Sequence, residues 1–301
     1  MANSAGQLFI VAFDHRGSYE TGLFGIKDEP TAADRERLND GKRVIYEGFK
    51  AALKGGAPLE AAGILVDEEL GSDIARDAKG EGTILAMPAE ESGQEEFHLQ
   101  YGDDFGAHIE AFDPDFVKVL VRYNPEAGHD LNARQAARLK SLGDWLKAHR
   151  RQFLFELLVP PTTEELEEAG SADSYDHSLR PELVVRAIAE LQAAGVEPDV
   201  WKVEGLDEEA DCTRVARQAR SGGRERVRCV VLGRGADEER VERWLRVGAR
   251  AEGFVGFAIG RTIWWDALKS MLAGETNRDA AVAQIASRYL RAISVYQEAA
   301  A

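Results

Sequence analysis

The chain has 301 residues, with 53 acidic against 37 basic side chains, a formal charge of -16 and a hydrophobic fraction of 44%. That apolar fraction excludes dominant disorder, and the negative field opposes phosphodiester backbones, so nucleic acid is excluded as a partner. No run approaches the roughly 18 apolar residues of a membrane span, and Met1-Ala2-Asn3-Ser4 lacks the basic and apolar regions of a secretory leader. A cytoplasmic location with no membrane partner is the expectation.

In chain order, the pattern predicts a strand at 8–13, an irregular segment at 20–30, a helix at 34–53 and strands at 63–67, 83–87 and 116–123. A helix at 131–149 follows, then a strand at 152–159, a second irregular segment at 160–180, a helix at 181–194 and a strand at 199–203. The remainder reads as a helix at 208–220, a strand at 228–232, a helix at 238–249, a strand at 253–258 and a C-terminal helix at 280–299. Strands are runs of Val, Ile, Leu and Phe; helices have apolar positions three and four apart. Thr31 and Asp34 mark one helix start, Pro181 another, and Gly195 closes the latter. Strands alternating with helices imply a parallel sheet covered by helices. Eight such units with no Pro/Gly/Ser linker predict the α/β class and a (β/α)8 TIM barrel forming one domain over 1–301. A doubly wound open sheet is the alternative. The two irregular segments should lie over the sheet as loops.

Charge inside a buried strand is the most informative signal. In Phe116-Val117-Lys118-Val119-Leu120-Val121-Arg122, alternation sets Lys118, Leu120 and Arg122 on one face. The next two strands carry Glu156 between Phe155 and Leu157, and Lys202 between Trp201 and Val203. The large apolar neighbours suit the helix interface, which turns the charged groups into the barrel. They form either a structural ion cluster or a site, and three on consecutive strands favour a site. Two lysines facing one carboxylate suit imine chemistry: a neutral amine attacks a carbonyl, and Glu156 moves protons during dehydration.

The first strand ends in Asp14-His15-Arg16-Gly17. Asp14 either holds a substrate hydroxyl, orients a lysine or caps the next turn, and His15 and Arg16 open the loop. Gly260-Arg261 at a helix start and Gly233-Arg234-Gly235 after the seventh strand are candidate anion sites. Gly233-Arg234-Gly235 lacks the third glycine of a dinucleotide fingerprint. No HxH or HxxxH pair supports a metal, and Cys212 and Cys229 make neither a disulfide framework nor a zinc pair. No cofactor is expected. Glu164-Glu165-Leu166-Glu167-Glu168 reads as a solvated helix start. Trp264-Trp265 and the C-terminal helix are candidate contacts of a homo-oligomer.

The strings LFIVAFDHRGS, YGDDFGAHIEAFDPDFVKVLVRYNP, FELLVPPT, WKVEG, LGRGA and GFVGFAIGRTIWWDAL resemble the domain fused to 5-dehydro-2-deoxygluconokinase in inositol catabolism. That family is regarded as a 2-deoxy-5-keto-gluconate 6-phosphate aldolase and is similar to the class I tagatose-bisphosphate aldolases. The resemblance spans about residues 7–275 and lacks the kinase half. It implies Lys202 as the imine lysine, Lys118 and Glu156 as its partners, Asp14 on the first strand, and Gly260 with Arg261 at the phosphate. The chain differs in having Glu90-Glu91-Ser92, where related sequences often carry a lysine after the glutamate, and Gly233-Arg234-Gly235, where the tagatose enzymes have a serine.

The expected reaction is a cofactor-free aldol cleavage of a phosphorylated sugar acid to dihydroxyacetone phosphate and malonate semialdehyde. Glu156 is expected to be the base that triggers cleavage, and Arg122 either binds the distal carboxylate or forms a rim salt bridge. A ketose bisphosphate or sulfonated sugar phosphate is the alternative substrate. A barrel that binds sugar phosphates without turnover is the alternative class.

Overall fold

The computed structural model describes residues 6–301. Its eight strands are β1 (Leu8–Ala12), β2 (Ala62–Leu65), β3 (Ile84–Pro88), β4 (Phe116–Arg122), β5 (Gln152–Leu158), β6 (Val200–Glu204), β7 (Arg228–Leu232) and β8 (Phe254–Ile259). All pair in parallel with their sequence neighbours, and β8 pairs back to β1, so the sheet closes as a (β/α)8 barrel rather than an open sheet. Each strand lies within two residues of the stretch its apolar run predicts.

The helices are α1 (Gly17–Leu23), α2 (Ala32–Lys54), α3 (Glu68–Glu81), α4 (Phe105–Phe112), α5 (His129–Ala148) and α6 (Thr163–Ala169). They continue as α7 (Ala172–Ser178), α8 (Arg180–Ala193), α9 (Glu209–Ala219), α10 (Glu238–Arg250), α11 (Arg261–Leu272) and α12 (Arg278–Ala300). Thr31 caps α2 in a reciprocal box with Asp34, as the sequence signals. The segments 20–30 and 160–180 are corrected: α1 enters the first, and α6 and α7 occupy most of the second. Each of these helices has seven residues, too few to display a 3.6-residue repeat. The starts of α6 and α7 are visible locally, because Thr162 and Glu165 form a capping box and Ser171 accepts from the Ser174 amide. Glu165 is therefore buried in its cap, where it also accepts from Asn124 at 2.6 Å, and is not solvated.

Alternation divides the strand side chains between two cores. Phe9, Val11, Val117, Val119, Phe155, Trp201 and Val203 pack outward against the helices. Inside the barrel, Leu8, Ile10, Leu65, Phe116, Leu154, Val200 and Val230 form a separate dry floor. Trp264 is fully buried and donates to the Ala12 carbonyl at 2.9 Å, so it serves the α11–β1 junction instead of an outer contact. The long α12 packs on α2, α10 and α11. Among the described residues no helix is long and apolar enough to cross a membrane.

Candidate active site

At the C-terminal mouth of the barrel a cavity of about 550 Å³ opens above the apolar floor. The register explains why charge converges there. Leu120 on β4 is opposite Glu156 on β5, and Glu156 is opposite Lys202 on β6, so all three face inward. Lys118 starts one inward step below Glu156 and reaches up through its four-carbon stem. Its Nζ donates to Asp14 Oδ2 at 2.8 Å and to Glu90 Oε1 at 2.6 Å, and it lies 3.1 Å from Glu156 Oε2. Lys202 Nζ donates to the same Glu156 oxygen at 2.9 Å. One carboxylate oxygen thus links the two amines, and both lysines are 2% exposed.

The electrostatics separate the roles. Burial works against the Lys118 ammonium, but Asp14, Glu156 and Glu90 overcome it and hold the group above the ordinary lysine range. Lys118 is a fixed cation. Burial likewise opposes the Asp14 and Glu156 carboxylates; Lys118 and Lys202, joined at Asp14 by His15, outweigh it, and both stay below the ordinary carboxylate range. Glu90 goes the other way: burial, reinforced by Asp14, raises it against the pull of Lys118 and Arg16. Burial lowers the His15 imidazole to about 4, with Asp14 opposing and Arg261 and Lys202 adding to the effect. His15 is therefore a neutral ring beside the cluster, edge-on to Trp264.

Two rims flank the cluster. On the β8 side, Gly260 caps α11, and a Cβ there would lie 2.2 Å from the Ala12 carbonyl oxygen, so only glycine permits this approach of β8 to β1. Arg261 follows, and its Nη2 donates to the Arg234 carbonyl at 3.0 Å. Arg234 lines the cavity, but its guanidinium is engaged by Asp176 at 2.6 Å and Glu204 at 3.1 Å. Gly233 does not line it: a Cβ would meet Ile259 Cγ2 at 2.9 Å, so this glycine serves packing, and Gly235 takes its expected place on the wall. On the opposite side Arg122 Nη1 donates to the Gln94 carbonyl at 2.7 Å, which ties the loop after β3 to β4. Arg16 joins the same loop through the Glu90 carbonyl at 2.9 Å and Gln100 Oε1 at 3.0 Å.

Two residues to which sequence reasoning gave no role belong here. Glu90 continues the inward parity of Ala86 and Pro88 two residues beyond the end of β3, a signal that extending the alternation past the strand would have found. Lys42 is fully buried on the apolar face of α2, where it pairs with Asp67 and donates to the carbonyls of Phe13 at 2.9 Å and His15 at 3.1 Å. It holds the segment that carries Asp14, and a lysine in step with Leu38 and Ile45 was its mark in the sequence.

The sequence matches, over residues 1–300, the family described as "Uncharacterized protein conserved in bacteria (DUF2090)". No curated protein matches it. Among solved structures it is similar to the fructose-bisphosphate aldolase from Plasmodium falciparum in complex with TRAP and a small molecule inhibitor, with a TM-score of 0.69 and 14% identity. That match covers 97% of this chain and 91% of the other, and at such identity it establishes the shared barrel fold.

Proposed function

The chain belongs to this bacterial DUF2090 family, and we propose that it is a class I aldolase that cleaves a phosphorylated keto sugar acid through an imine on Lys202. The observation that carries the reading is the sharing of Glu156 Oε2 between Lys202 and the Lys118 ammonium on the wall of one cavity. A carbonyl ligand entering there meets an amine and an acid–base group together. The aldolase fold neighbour supports the same reading.

In this scheme the Lys202 nitrogen adds to the keto carbon, and Glu156 delivers a proton to the oxygen that leaves as water. The protonated imine then withdraws electrons. A base removes the proton of the hydroxyl two carbons away, that carbon becomes an aldehyde, and the bond toward the imine breaks to leave an enamine. Lys118, Asp14 and neutral His15 bind the hydroxyls, and Arg261 with the α11 N-terminus receives the phosphate. Arg122 on the far rim receives a carboxylate, which fits 2-deoxy-5-keto-D-gluconate 6-phosphate, with dihydroxyacetone phosphate and malonate semialdehyde as products.

A second reading, a ketose bisphosphate, is favoured by one feature: guanidinium groups stand at both rims, and either can hold a phosphate. Borohydride with each compound, followed by mass analysis, tests the chemistry; an unmodified Lys202 with every keto sugar phosphate tried would reject it. Arg122→Ala then separates the substrates. The acid reading expects kcat/KM to fall about 10- to 100-fold on the sugar acid and less than threefold on an analogue without the carboxylate. Equal losses on both would remove Arg122 from carboxylate binding.

A further inference from the structure

The cleavage step needs a base that receives the hydroxyl proton, and three carboxyl groups surround the two amines. Glu156 and Asp14 are poor candidates. The Glu156 oxygen is shared by Lys118 at 3.1 Å and Lys202 at 2.9 Å, and Asp14 Oδ2 is committed to Lys118 at 2.8 Å. Both are held below the ordinary carboxylate range, where affinity for a proton is weakest.

Glu90 differs in geometry. Its Oε1 is fixed by Lys118 at 2.6 Å, while Oε2 is buried without a hydrogen-bond partner. The residue is 5% exposed and lines the cavity. No protein group bonds this oxygen, and a ligand hydroxyl supplies a partner for it. Its position on the β3 side also suits the substrate. With phosphate at Arg261 beyond β8 and the imine on β6, the remaining carbons run across the mouth toward β3 and β4, where Glu90, Gln94 and Arg122 line the wall.

We propose that Glu90 is the general base of carbon–carbon cleavage, taking the proton from the substrate hydroxyl two carbons from the imine carbon through its unpaired Oε2. The inference rests on the aldolase reading and adds a catalytic residue to it. As the hydroxyl O–H breaks, its proton passes to the Glu90 carboxylate, the C–O bond becomes the aldehyde carbonyl, the carbon–carbon bond breaks and its electron pair enters the enamine on Lys202. In the reverse direction Glu90 returns the proton to the alkoxide. Burial raises Glu90 toward working pH, which improves a base, while the Lys118 ammonium keeps the carboxylate accessible.

The division of labour makes the steps separable. Glu156 serves imine formation, so Glu90→Gln should trap dihydroxyacetone phosphate on Lys202 with borohydride as fully as the parent protein. Its cleavage of 2-deoxy-5-keto-D-gluconate 6-phosphate should fall at least about 100-fold, the usual share of a general base. Glu90→Asp, which keeps the carboxylate but shortens its reach, should recover part of that loss, and thermal melting of both variants checks folding. Cleavage by folded Glu90→Gln within threefold of the parent would overturn the assignment. So would parallel loss of adduct and cleavage, which would mean that Glu90 acts only through Lys118. No adduct in the parent protein itself would overturn the aldolase reading and this inference together.

Discussion

The inside of the barrel has two storeys built by one rule and opposite in character. Ala12, Phe116, Leu154 and Val200 belong to a dry floor; two residues further along the chain stand Asp14, just past the end of β1, and Lys118, Glu156 and Lys202 on their strands. The period-two alternation is unbroken between them, so a single inward step separates an apolar core from four ionisable groups. The floor excludes water beneath the cluster and strengthens every interaction within it, whereas the upper groups escape the cost of burial only by pairing with one another. Stability is the task of the lower storey and, in the proposed aldolase, chemistry that of the upper.

The sharpest way to break this division is to remove the amine. Lys202→Met should lower kcat/KM at least about 10⁴-fold, since the proposed mechanism forms its imine on this amine. The fold should persist, because Glu156 keeps Lys118 as a partner at 3.1 Å. A melting temperature close to the parent's, together with undetectable product release, is the expected pair of results; activity within tenfold of the parent would dismiss Lys202 as nucleophile.

One storey down the effects should reverse. Leu154 is fully buried in the floor next to Val200 on the adjoining strand, and Leu154→Ala should cost about 2–5 kcal/mol, the range for a leucine truncated in a packed core. Urea unfolding measures that loss, while kcat per folded molecule should change by less than tenfold. A variant that unfolds normally but is inactive would mean that the floor tunes the chemistry directly.

The same rule decided what could be read from the sequence. The strands follow from their apolar runs and the barrel from the count of eight strand-helix units, while the inward facing of Lys118, Glu156 and Lys202 follows from parity, because a charged residue between large apolar neighbours has only one face to occupy. Legibility ended where the strands did. Glu90 stands two residues past Pro88, the last residue of β3; its parity was readable only by extending the alternation beyond the apolar run, and the bridge to Leu99 that keeps the chain extended there has no mark in the local sequence. Gly233 was misassigned because a glycine beside an arginine after a strand looks the same whether it approaches a phosphate or, as here, the Ile259 side chain. Arg234 has the composition of an anion ligand, yet Asp176 from the short α7 claims its guanidinium, a pairing across 58 positions of sequence.

The smallest expected effect tests the edge of the upper storey through pH. His15 has its pKa lowered from 6.5 to about 4, chiefly by burial, and its Nδ1 has no partner. The unfolded chain therefore binds a proton near pH 6.5 that the folded chain refuses until about pH 4. Folding stability should fall as pH is lowered through that window and should lose no more from this group below it. Asp14 and Glu156 add their losses at lower pH, since depressed carboxylates stabilise only while ionised, and Glu90, with its raised pKa, contributes with the opposite sign. His15→Gln isolates the imidazole from all three. Urea midpoints of parent and variant should differ by a constant amount above the window, then shift progressively in the variant's favour as pH falls through it. Parallel midpoints across the whole range would mean that water reaching the exposed quarter of the His15 side chain keeps the imidazole hydrated in the folded state.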